Sequence, residues 1–343
     1  MSIVYGAGTP TGALWTGAGI IVLSGVLNAT FPLPMKYVRG WKWENTWLAF
    51  CTLSLLVLPV GAAFWEVPGL ASLYRAAPAA EFLPAVLGGL LWGAAQVSFG
   101  IAIPMVGMAM AFAIVVGLCS VLGSFFPMLI QRPEALLARP GLLLMISTVI
   151  LAAGLVVYAR AARQRERDGG IITERGNFRK GLALCLFTGA AGAAINLGFA
   201  LSSGLVARAA AQGASPQASS FAVWAVLLPF GYVPNLLYCL YLLARNRTAS
   251  LYAGPSGKQA LLIVIMALLW LGGWLGYGIG AASMGAYGTS IGFAGYMTTL
   301  LLWSTYLGVM TGEWRQAKHA TVTRMRFGVA VILVSVVVLS RAL

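Results

Sequence analysis

Seven polar and aromatic residues stand in otherwise apolar stretches and are the candidates for ligand binding: Asn28, Trp92, Gln96, Asn196, Asn235, Tyr277 and Ser290. An amide inside hydrocarbon is costly without a hydrogen-bond partner, so each Asn or Gln there requires one. Indole rings beside amides suit a neutral, polyhydroxylated ligand, because its CH groups stack on the ring while its hydroxyls bond the amides. The alternative is that the amides only bond neighbouring helices together.

Charged residues are scarce and argue against catalysis. Only 9% of the 343 residues are charged, 60% are apolar, and the mean hydropathy is +0.87. The 8 acidic residues lie in expected loops or helix ends, and His319 is the single histidine. Because general acid–base and metal chemistry need such groups gathered at one site, we expect no enzyme, no metal site and no cofactor. The 4 cysteines lie in apolar stretches without CxxC spacing, so we expect them to be buried and free.

Membrane-spanning helices must position the candidate residues, because this composition is typical of an all-α polytopic membrane protein. A span needs about 20 apolar residues. The sequence predicts ten spans, at 12–33, 46–65, 83–103, 105–130, 140–159, 181–204, 219–243, 259–282, 288–311 and 325–341. We expect the third and fourth to meet in a tight hairpin, where Pro104 and Gly107 interrupt the apolar run.

The positive charges predict an orientation for these spans. If the ten spans alternate in direction, 17 of the 22 Lys and Arg residues fall on one side of the membrane. Basic loops stay in the cytoplasm, so we expect both termini outside. This explanation also accounts for the net charge of +14 without a nucleic-acid partner.

The polar segment 160–180 divides the chain into two sets of five spans. We predict a first repeat at 1–159, a cytoplasmic linker at 160–180 and a second repeat at 181–343. Because five is odd, the second set enters the membrane from the opposite side, as an inverted repeat does. Two short matches support the repeat, namely Asn-x-x-Phe beginning at Asn28 and Asn196, and Gly-x-x-x-x-Phe-Ala beginning at Gly107 and Gly288.

The run PMKYVRGWKWENTW at 34–47 resembles a signature of the L-rhamnose–proton symporter family, within the drug/metabolite transporter superfamily. Similar family motifs occur at 91–93, 99–100, 107–110, Asn235 and 312–314. The resemblance implies ten helices in a 5+5 inverted repeat and a multi-pass protein of the inner membrane. It also implies import of a small neutral sugar, L-rhamnose or a related deoxysugar, with an ion that is a proton rather than sodium. The alternative is a metabolite or drug exporter of the same superfamily.

The sequence also departs from the family pattern. Gln96 and Ser98 stand where asparagines are expected, and Thr289 stands where an aspartate is expected. The stretch 280–283 lacks the usual His and Arg. These departures bear on sugar specificity and on coupling rather than on the fold.

Glu44 is the candidate for proton coupling, since no expected helix interior carries a carboxylate or a histidine. The nearby Trp41, Trp43 and Trp47 could desolvate its carboxylate and favour protonation, although we also expect them to form an interfacial aromatic belt. The alternative for Glu44 is a structural role at the start of the second span. Glu313 is the other acid within the matched motifs, and we expect it to form an exposed ion pair beside Arg315.

Overall fold

A computed structural model describes residues 11–169, 178–215, 218–254 and 257–342. Throughout these ranges the backbone forms helices joined by short turns, and no strand occurs in them. The predicted all-helical class is therefore confirmed.

The first part of the chain contains the α-helices α1 (Thr11–Thr30), α2 (Trp43–Cys51), α3 (Leu58–Glu66), α4 (Leu70–Ala76), α5 (Ala79–Val106), α6 (Met108–Gln131) and α7 (Arg139–Asp168). A π-helical turn, Thr52–Val57, joins α2 and α3 into one continuous span. Short 3-10 segments occur at Leu33–Tyr37 and Pro133–Leu136.

The second part contains α8 (Phe178–Gly192), α9 (Ala194–Leu201), α10 (Ser203–Ala211), α11 (Phe221–Asn246), α12 (Gly257–Ser283), α13 (Phe293–Met310) and α14 (His319–Ser340). The helices α8, α9 and α10 follow one another as a single span with interruptions at Ala193 and Ser202. A second π-helical turn, Gly288–Gly292, leads directly into α13.

Nine helical segments of the described ranges are long and apolar enough to cross a bilayer, whereas the sequence predicts ten. The nine overlap every expected position except 288–311. That stretch forms the π-helical turn and α13. The 18 residues of α13 equal the length of the segment Ile114–Gln131, which is among the nine, but they include Thr and Ser side chains at 298, 299, 304 and 305 that make α13 less apolar. The nine segments identify the chain as a multi-pass membrane protein.

Gly107 alone connects α5 to α6. Its φ of 86° and ψ of 147° lie in a region that glycine adopts without steric cost. Its N–H still donates to the carbonyl of Ile103 at 2.9 Å, which closes α5. Pro104 lies within the last turn of α5 rather than in the connection between the helices.

The helix α7 continues past the expected end of its span at 159 to Asp168, so the first part of the expected linker is helical. The Asp168 carboxylate accepts hydrogen bonds from the Lys318 backbone N–H at 3.2 Å and the Thr321 hydroxyl at 2.9 Å. The end of α7 is thereby fixed to the start of α14. Residues 170–177, which belong to the expected linker, lie outside the described ranges.

Polar contacts define two ends of the helical bundle. At one end, which we call the basic end, Glu313 pairs with Lys36 and Arg165, and Gln259 donates to the carbonyl of Arg39. At the other, the opposite end, Arg208 of α10 holds Glu81 of α5 through two bonds of 2.8 and 2.9 Å. Separate ion pairs therefore join the segments that meet at each end.

Helix pairs build the core between these ends. The helix α1 packs along α12, α5 packs along α8, α9 and α11, and α7 packs along α14. The span formed by α2 and α3 packs against α11, and α13 packs against α1 and α6. The largest fully buried side chains are aromatic and lie on the central helices: Trp224, Tyr277, Tyr296, Phe50 and Phe293.

Candidate functional site

A narrow cleft lies between α2, α5, α11 and α12. Its walls are formed by Trp47, Phe50, Cys51, Leu55, Trp92, Gln96, Asn235 and Trp270. Three of the seven candidate residues, Trp92, Gln96 and Asn235, therefore meet at one site. In this conformation the cleft is too narrow to admit a water molecule.

Helical spacing and one close helix contact position the walls. Trp47, Cys51 and Leu55 recur at every fourth residue and share one face of their span. On α5, a Cβ added to Gly93 would overlap the carbonyl of Gly231, so α5 and α11 approach backbone to backbone. This approach sets the Trp92 and Gln96 face of α5 beside α11.

The polar groups of the cleft differ in how far the protein satisfies them. The Trp47 indole Nε1 donates to Asn235 Oδ1 at 2.9 Å, and Asn235 Nδ2 donates to the carbonyl of Gly231 at 3.0 Å. Within the described ranges the half-buried Gln96 amide makes no hydrogen bond. Gln96 therefore has donors and an acceptor to offer a ligand.

Aromatic rings supply the rest of the lining. The Trp92 and Trp270 centroids are 5.7 Å apart, and Phe50 meets Trp270 edge-on at 6.1 Å. The Trp47 and Phe50 centroids are 5.2 Å apart. Flat apolar faces beside amide groups can stack on a sugar ring and bond its hydroxyls, whereas no carboxylate or cation is among the lining residues.

A second region, the Asn196 cluster, comprises Asn196, Trp274, Tyr277, Phe293 and Tyr296. The Tyr277 hydroxyl donates to Asn196 Oδ1, and Asn196 Nδ2 donates to the carbonyls of Gly123 at 2.6 Å and Thr289 at 2.7 Å. The fully buried Asn196 side chain thus connects α9 to α6, to α12 and to the turn before α13.

The remaining candidates lie outside the cleft lining. Asn28 Nδ2 donates to the backbone carbonyl of Trp270 at 3.3 Å, which connects α1 to α12 behind the cleft. Ser290 lies in the π-helical turn, where its hydroxyl donates to the carbonyl of Tyr287 at 3.3 Å. Asn28 and Asn196, expected at equivalent places of the two repeats, both donate to backbone carbonyls, but Asn196 donates to two of them and also accepts from a hydroxyl.

Glu44 lies in the first turn of α2 and is only 5% exposed. Its carboxylate accepts hydrogen bonds from Asn246 Nδ2 at 2.9 Å and Thr248 Oγ1 at 2.8 Å. It forms no salt bridge in the part of the chain that the structure describes. Neutral hydrogen-bond donors therefore contact this carboxylate, which we expected tryptophan rings to desolvate.

The three neighbouring tryptophans make other contacts. Trp43 stacks on Trp47 with centroids 5.5 Å apart, and Trp41 packs edge-on against Tyr252 at 5.0 Å. Trp47 was expected in an interfacial belt, but it lines the cleft and bonds Asn235. Trp47, Cys51 and Leu55 are spaced four residues apart, and this spacing is the sequence signal that could have placed Trp47 on the cleft-lining face of its span.

Glu313 binds two cations, and neither is the expected Arg315. Its Oε1 pairs with Lys36 Nζ at 2.8 Å and its Oε2 with Arg165 at 3.1 Å. Partial burial alone would raise the pKa of the Glu313 carboxyl, but the bonds and charges of Lys36 and Arg165 outweigh burial and lower that pKa. The arrangement connects three segments at the basic end.

Metal chemistry has no evident site in the described ranges, where no three His, Cys, Asp or Glu side chains gather as metal ligands. All four cysteines are buried and free.

Membrane-spanning helices around a buried, neutral, aromatic-lined cleft define a class of protein, the multi-pass carriers of small polar molecules. Comparison with known proteins gives the family. The model of the L-rhamnose-proton symport proteins (RhaT) matches residues 12–342, and the chain belongs to this family. The family consists of transport proteins and not of enzymes, and this membership makes the chain a multi-pass protein of the inner membrane.

Individual relatives agree with the family assignment. The chain is 28% identical over 315 residues to an L-rhamnose-proton symporter of Cronobacter sakazakii, covering 90% of this chain and 91% of the relative. It is 27% identical to proteins of the same name from Klebsiella pneumoniae and Escherichia coli, covering 90% of this chain and 92% of each relative. The similarity therefore spans both parts of the chain.

Proposed function

We propose that the protein is a secondary transporter that imports a neutral sugar, L-rhamnose or a related deoxysugar, together with a proton. The observation that carries this proposal is the family match over residues 12–342. The similar proteins named above are all described as L-rhamnose-proton symporters, which favours import over export and protons over sodium. The neutral cleft agrees with an uncharged substrate.

Trp92, Gln96 and Asn235 are the proposed sugar-binding residues of the cleft. Trp92 and Trp270 offer ring faces, and the Gln96 amide is free to bond hydroxyl groups. Because the cleft excludes even water, the helices around it must separate to admit a sugar. Rearrangement of one helix set against another is how such carriers expose a site to alternate sides.

For Asn28, Asn196, Tyr277 and Ser290 a role in binding substrate stays a prediction. Each of these side chains bonds the protein itself, to Trp270, to one another or to Tyr287. These bonds support the alternative in which the side chains hold helices together.

We further propose ten spans in a 5+5 inverted repeat, as in the drug/metabolite transporter superfamily, with repeats at 1–159 and 181–343 and a linker at 160–180. Here α13 is the ninth span. It begins near the opposite end, where Arg132 lies over the Tyr287 ring at 5.8 Å, and it finishes near Glu313 at the basic end.

Helix pairing supports the repeat. With α13 counted as span 9, α1 is span 1 and α12 is span 8. In the other half, the counterpart of span 1 is span 6, formed by α8 to α10, and the counterpart of span 8 is span 3, formed by α5. Both pairs are in contact. Span 2 packs against its own counterpart α11, and α7 packs against its counterpart α14. Each helix contact named here therefore becomes another of these contacts, or itself, when every span is replaced by its counterpart in the other half.

The basic end is proposed to face the cytoplasm, with both termini outside, because basic loops are retained there. An epitope tag placed at Met1 or Leu343 should react with antibody on spheroplasts without permeabilisation. A tag inserted after Asp168 should react only after permeabilisation. Termini on opposite sides would contradict the ten-span proposal.

Uptake of radiolabelled L-rhamnose into proteoliposomes tests the transport proposal. We expect an inward proton gradient to drive accumulation, and collapse of the gradient to leave only equilibration. Failure to take up L-rhamnose or any other deoxyhexose would contradict the proposed function.

Glu44 is the proposed coupling residue. Its carboxylate bonds Asn246 and Thr248 at the end of α11. One turn farther along α2, Trp47 bonds Asn235, which lies about three turns before Asn246 on α11. A change in the charge of Glu44 would therefore act on the two helices that form a wall of the cleft. Unlike Glu313, it has no cation paired with it in the described ranges, so no ion pair must break when it is protonated.

The variant Glu44→Gln keeps an oxygen acceptor but cannot take up a proton. We expect it to abolish gradient-driven accumulation while it retains exchange of labelled for unlabelled sugar. Glu313→Gln is the matched control, since it alters an acid at the same end and should retain accumulation. Accumulation by Glu44→Gln at the wild-type level would exclude this role for Glu44.

A further inference from the structure

Two buried polar atoms of the Asn196 cluster have no hydrogen-bond partner among the described residues: Trp274 Nε1 and the Tyr296 hydroxyl. Trp274 is 6% exposed and Tyr296 is 0% exposed. Leaving such groups unpaired in a protein interior costs free energy, and native structures contain few of them. Four other buried polar atoms of the described residues also have no partner, so the position of these two near the cleft, and not the missing bond alone, carries the inference.

Trp274 adjoins the aromatic lining of the cleft, and Tyr296 adjoins Trp274. The Trp274 centroid lies 6.4 Å from that of Trp92 and 6.1 Å from that of Trp270, the two indole rings of the lining. It also lies 5.3 Å from the Tyr296 ring. Trp274 is thus the member of the Asn196 cluster that contacts the rings of the cleft, and it contacts Tyr296 as well.

The sequence of α12 continues the cleft in this direction. Trp270, Trp274 and Tyr277 are four and three residues apart and share one helix face. Since α12 starts at the basic end, where Gln259 bonds Arg39, each step along this face leads about 6 Å or less toward the opposite end.

Polar partners are available in this cluster, yet the two atoms do not use them. The Tyr277 hydroxyl donates to Asn196, although its ring lies only 5.2 Å from that of Tyr296. Like the cleft, the cluster offers hydrogen-bonding groups beside aromatic rings, here an indole N–H and a phenol hydroxyl. This combination suits a neutral polyhydroxylated molecule.

We propose that Trp274 and Tyr296 form a second, deeper sugar-binding position, which the substrate occupies when the bundle opens at the end opposite to the basic loops. This inference rests on the proposed function. In the conformation described, the Trp274 ring packs against both the cleft lining and the Tyr296 ring, so no open passage joins the two positions. When the opposite end opens, the Trp274 N–H and the Tyr296 hydroxyl bond the hydroxyl groups of a sugar arriving from that side.

The test compares Trp274→Phe and Tyr296→Phe, which each remove one polar atom and keep an aromatic ring. Half-saturation for radiolabelled L-rhamnose is measured from outside with intact cells, and from the basic side with everted membrane vesicles. Thermal unfolding of each purified variant in detergent reports on packing. Tyr306→Phe and Trp65→Phe are the matched controls, because both side chains are exposed.

We expect each variant to raise the half-saturation concentration about twofold to tenfold from outside, which is the range for one lost hydrogen bond. The effect from the basic side should be smaller, the unfolding temperature should not fall, and the controls should match the wild type. Unchanged half-saturation in both variants, with or without a fall in unfolding temperature, would overturn the proposal and leave a structural role. Absence of L-rhamnose uptake by the wild-type chain would instead reject the proposed function, and this inference with it.

Discussion

The cleft and the Asn196 cluster each contain a buried asparagine, but the two side chains are bound differently. The Asn196 amide makes three hydrogen bonds, which reach α6, α12 and the turn before α13. Asn235 accepts a hydrogen bond from Trp47 of α2, and it donates to the Gly231 carbonyl of its own helix at 3.0 Å and to the Gly93 carbonyl of α5 at a longer 3.5 Å. Beside Asn235 stands Gln96, whose amide has no partner in the described ranges.

This difference shows that an amide side chain can hold helices together in one region of the protein and remain available to a ligand in another. A saturated amide that connects several helices stabilises one arrangement of them, because any movement leaves several polar groups unpaired. A wall with unused hydrogen-bond capacity can exchange partners when a ligand enters. We therefore expect substitution of Asn196 itself to act mainly on stability, and substitution of Gln96 in the cleft to act mainly on affinity.

The largest expected effect belongs to Asn196→Ala. The substitution leaves the carbonyls of Gly123 and Thr289 and the Tyr277 hydroxyl unpaired. At about 1 kcal/mol for each group, it should lower the free energy of unfolding by about 3 kcal/mol. Thermal unfolding in detergent and the folded fraction on size exclusion measure this loss.

Asn28→Ala is the control for that substitution. Among the described residues the Asn28 side chain makes one long bond, to the carbonyl of Trp270, so its loss should cost about 0.6 kcal/mol, a typical value for a hydrogen bond between membrane helices. Equal effects of the two substitutions would remove the distinction between a multiple connection and a single one.

The next largest effect is expected in the cleft, for Gln96→Leu. No protein hydrogen bond is lost among the described residues, so the unfolding temperature should stay within the error of the wild type. The loss of a bond to a sugar hydroxyl should weaken binding of L-rhamnose about twofold to tenfold. Binding titrations on the purified protein measure this change.

Ser98→Ala is the matched control on the same helix. The family resemblance made Ser98 a candidate for sugar specificity, but it is not among the residues that line the cleft, and within the described ranges its hydroxyl bonds only the carbonyl of Ala94 one turn earlier. The substitution should change neither affinity nor stability appreciably. A loss of stability in Gln96→Leu with unchanged affinity would assign Gln96 to helix packing and not to the cleft.

Much of the fold was predictable from the sequence, because the length and hydropathy of the spans reflect the thickness of the bilayer. Nine expected positions correspond to spanning helices of the described ranges. The extension of α7 to Asp168 was not predictable, because residues beyond 159 are polar and only a tertiary contact, with Lys318 and Thr321, explains their order.

The candidate site was predictable in part. Trp92, Gln96 and Asn235 could be selected because polar or aromatic residues in apolar spans need a reason to be there, and all three line the cleft. The sequence could not distinguish them from Asn28 and Asn196, because the same type of side chain can bind a ligand or bond a backbone carbonyl. Which of the two an amide does depends on the distance between helices, and hydropathy does not encode that distance.

The smallest expected effect belongs to Trp47→Phe, which removes the donor to Asn235 and keeps a ring against Phe50. In the Asn196 cluster such a loss would leave a buried acceptor unpaired, but Asn235 Oδ1 lies in the wall of the cleft, where a sugar hydroxyl can replace the indole N–H. We therefore expect a loss of about 0.6 kcal/mol in stability without sugar, and a change in L-rhamnose affinity of less than about twofold. Trp43→Phe, on a half-exposed neighbour that stacks on Trp47, is the control for ring size and should leave both quantities unchanged. If Trp47→Phe destabilised the protein as much as Asn196→Ala, the cleft would be as tightly fixed as the cluster, and the distinction between the two regions would fail.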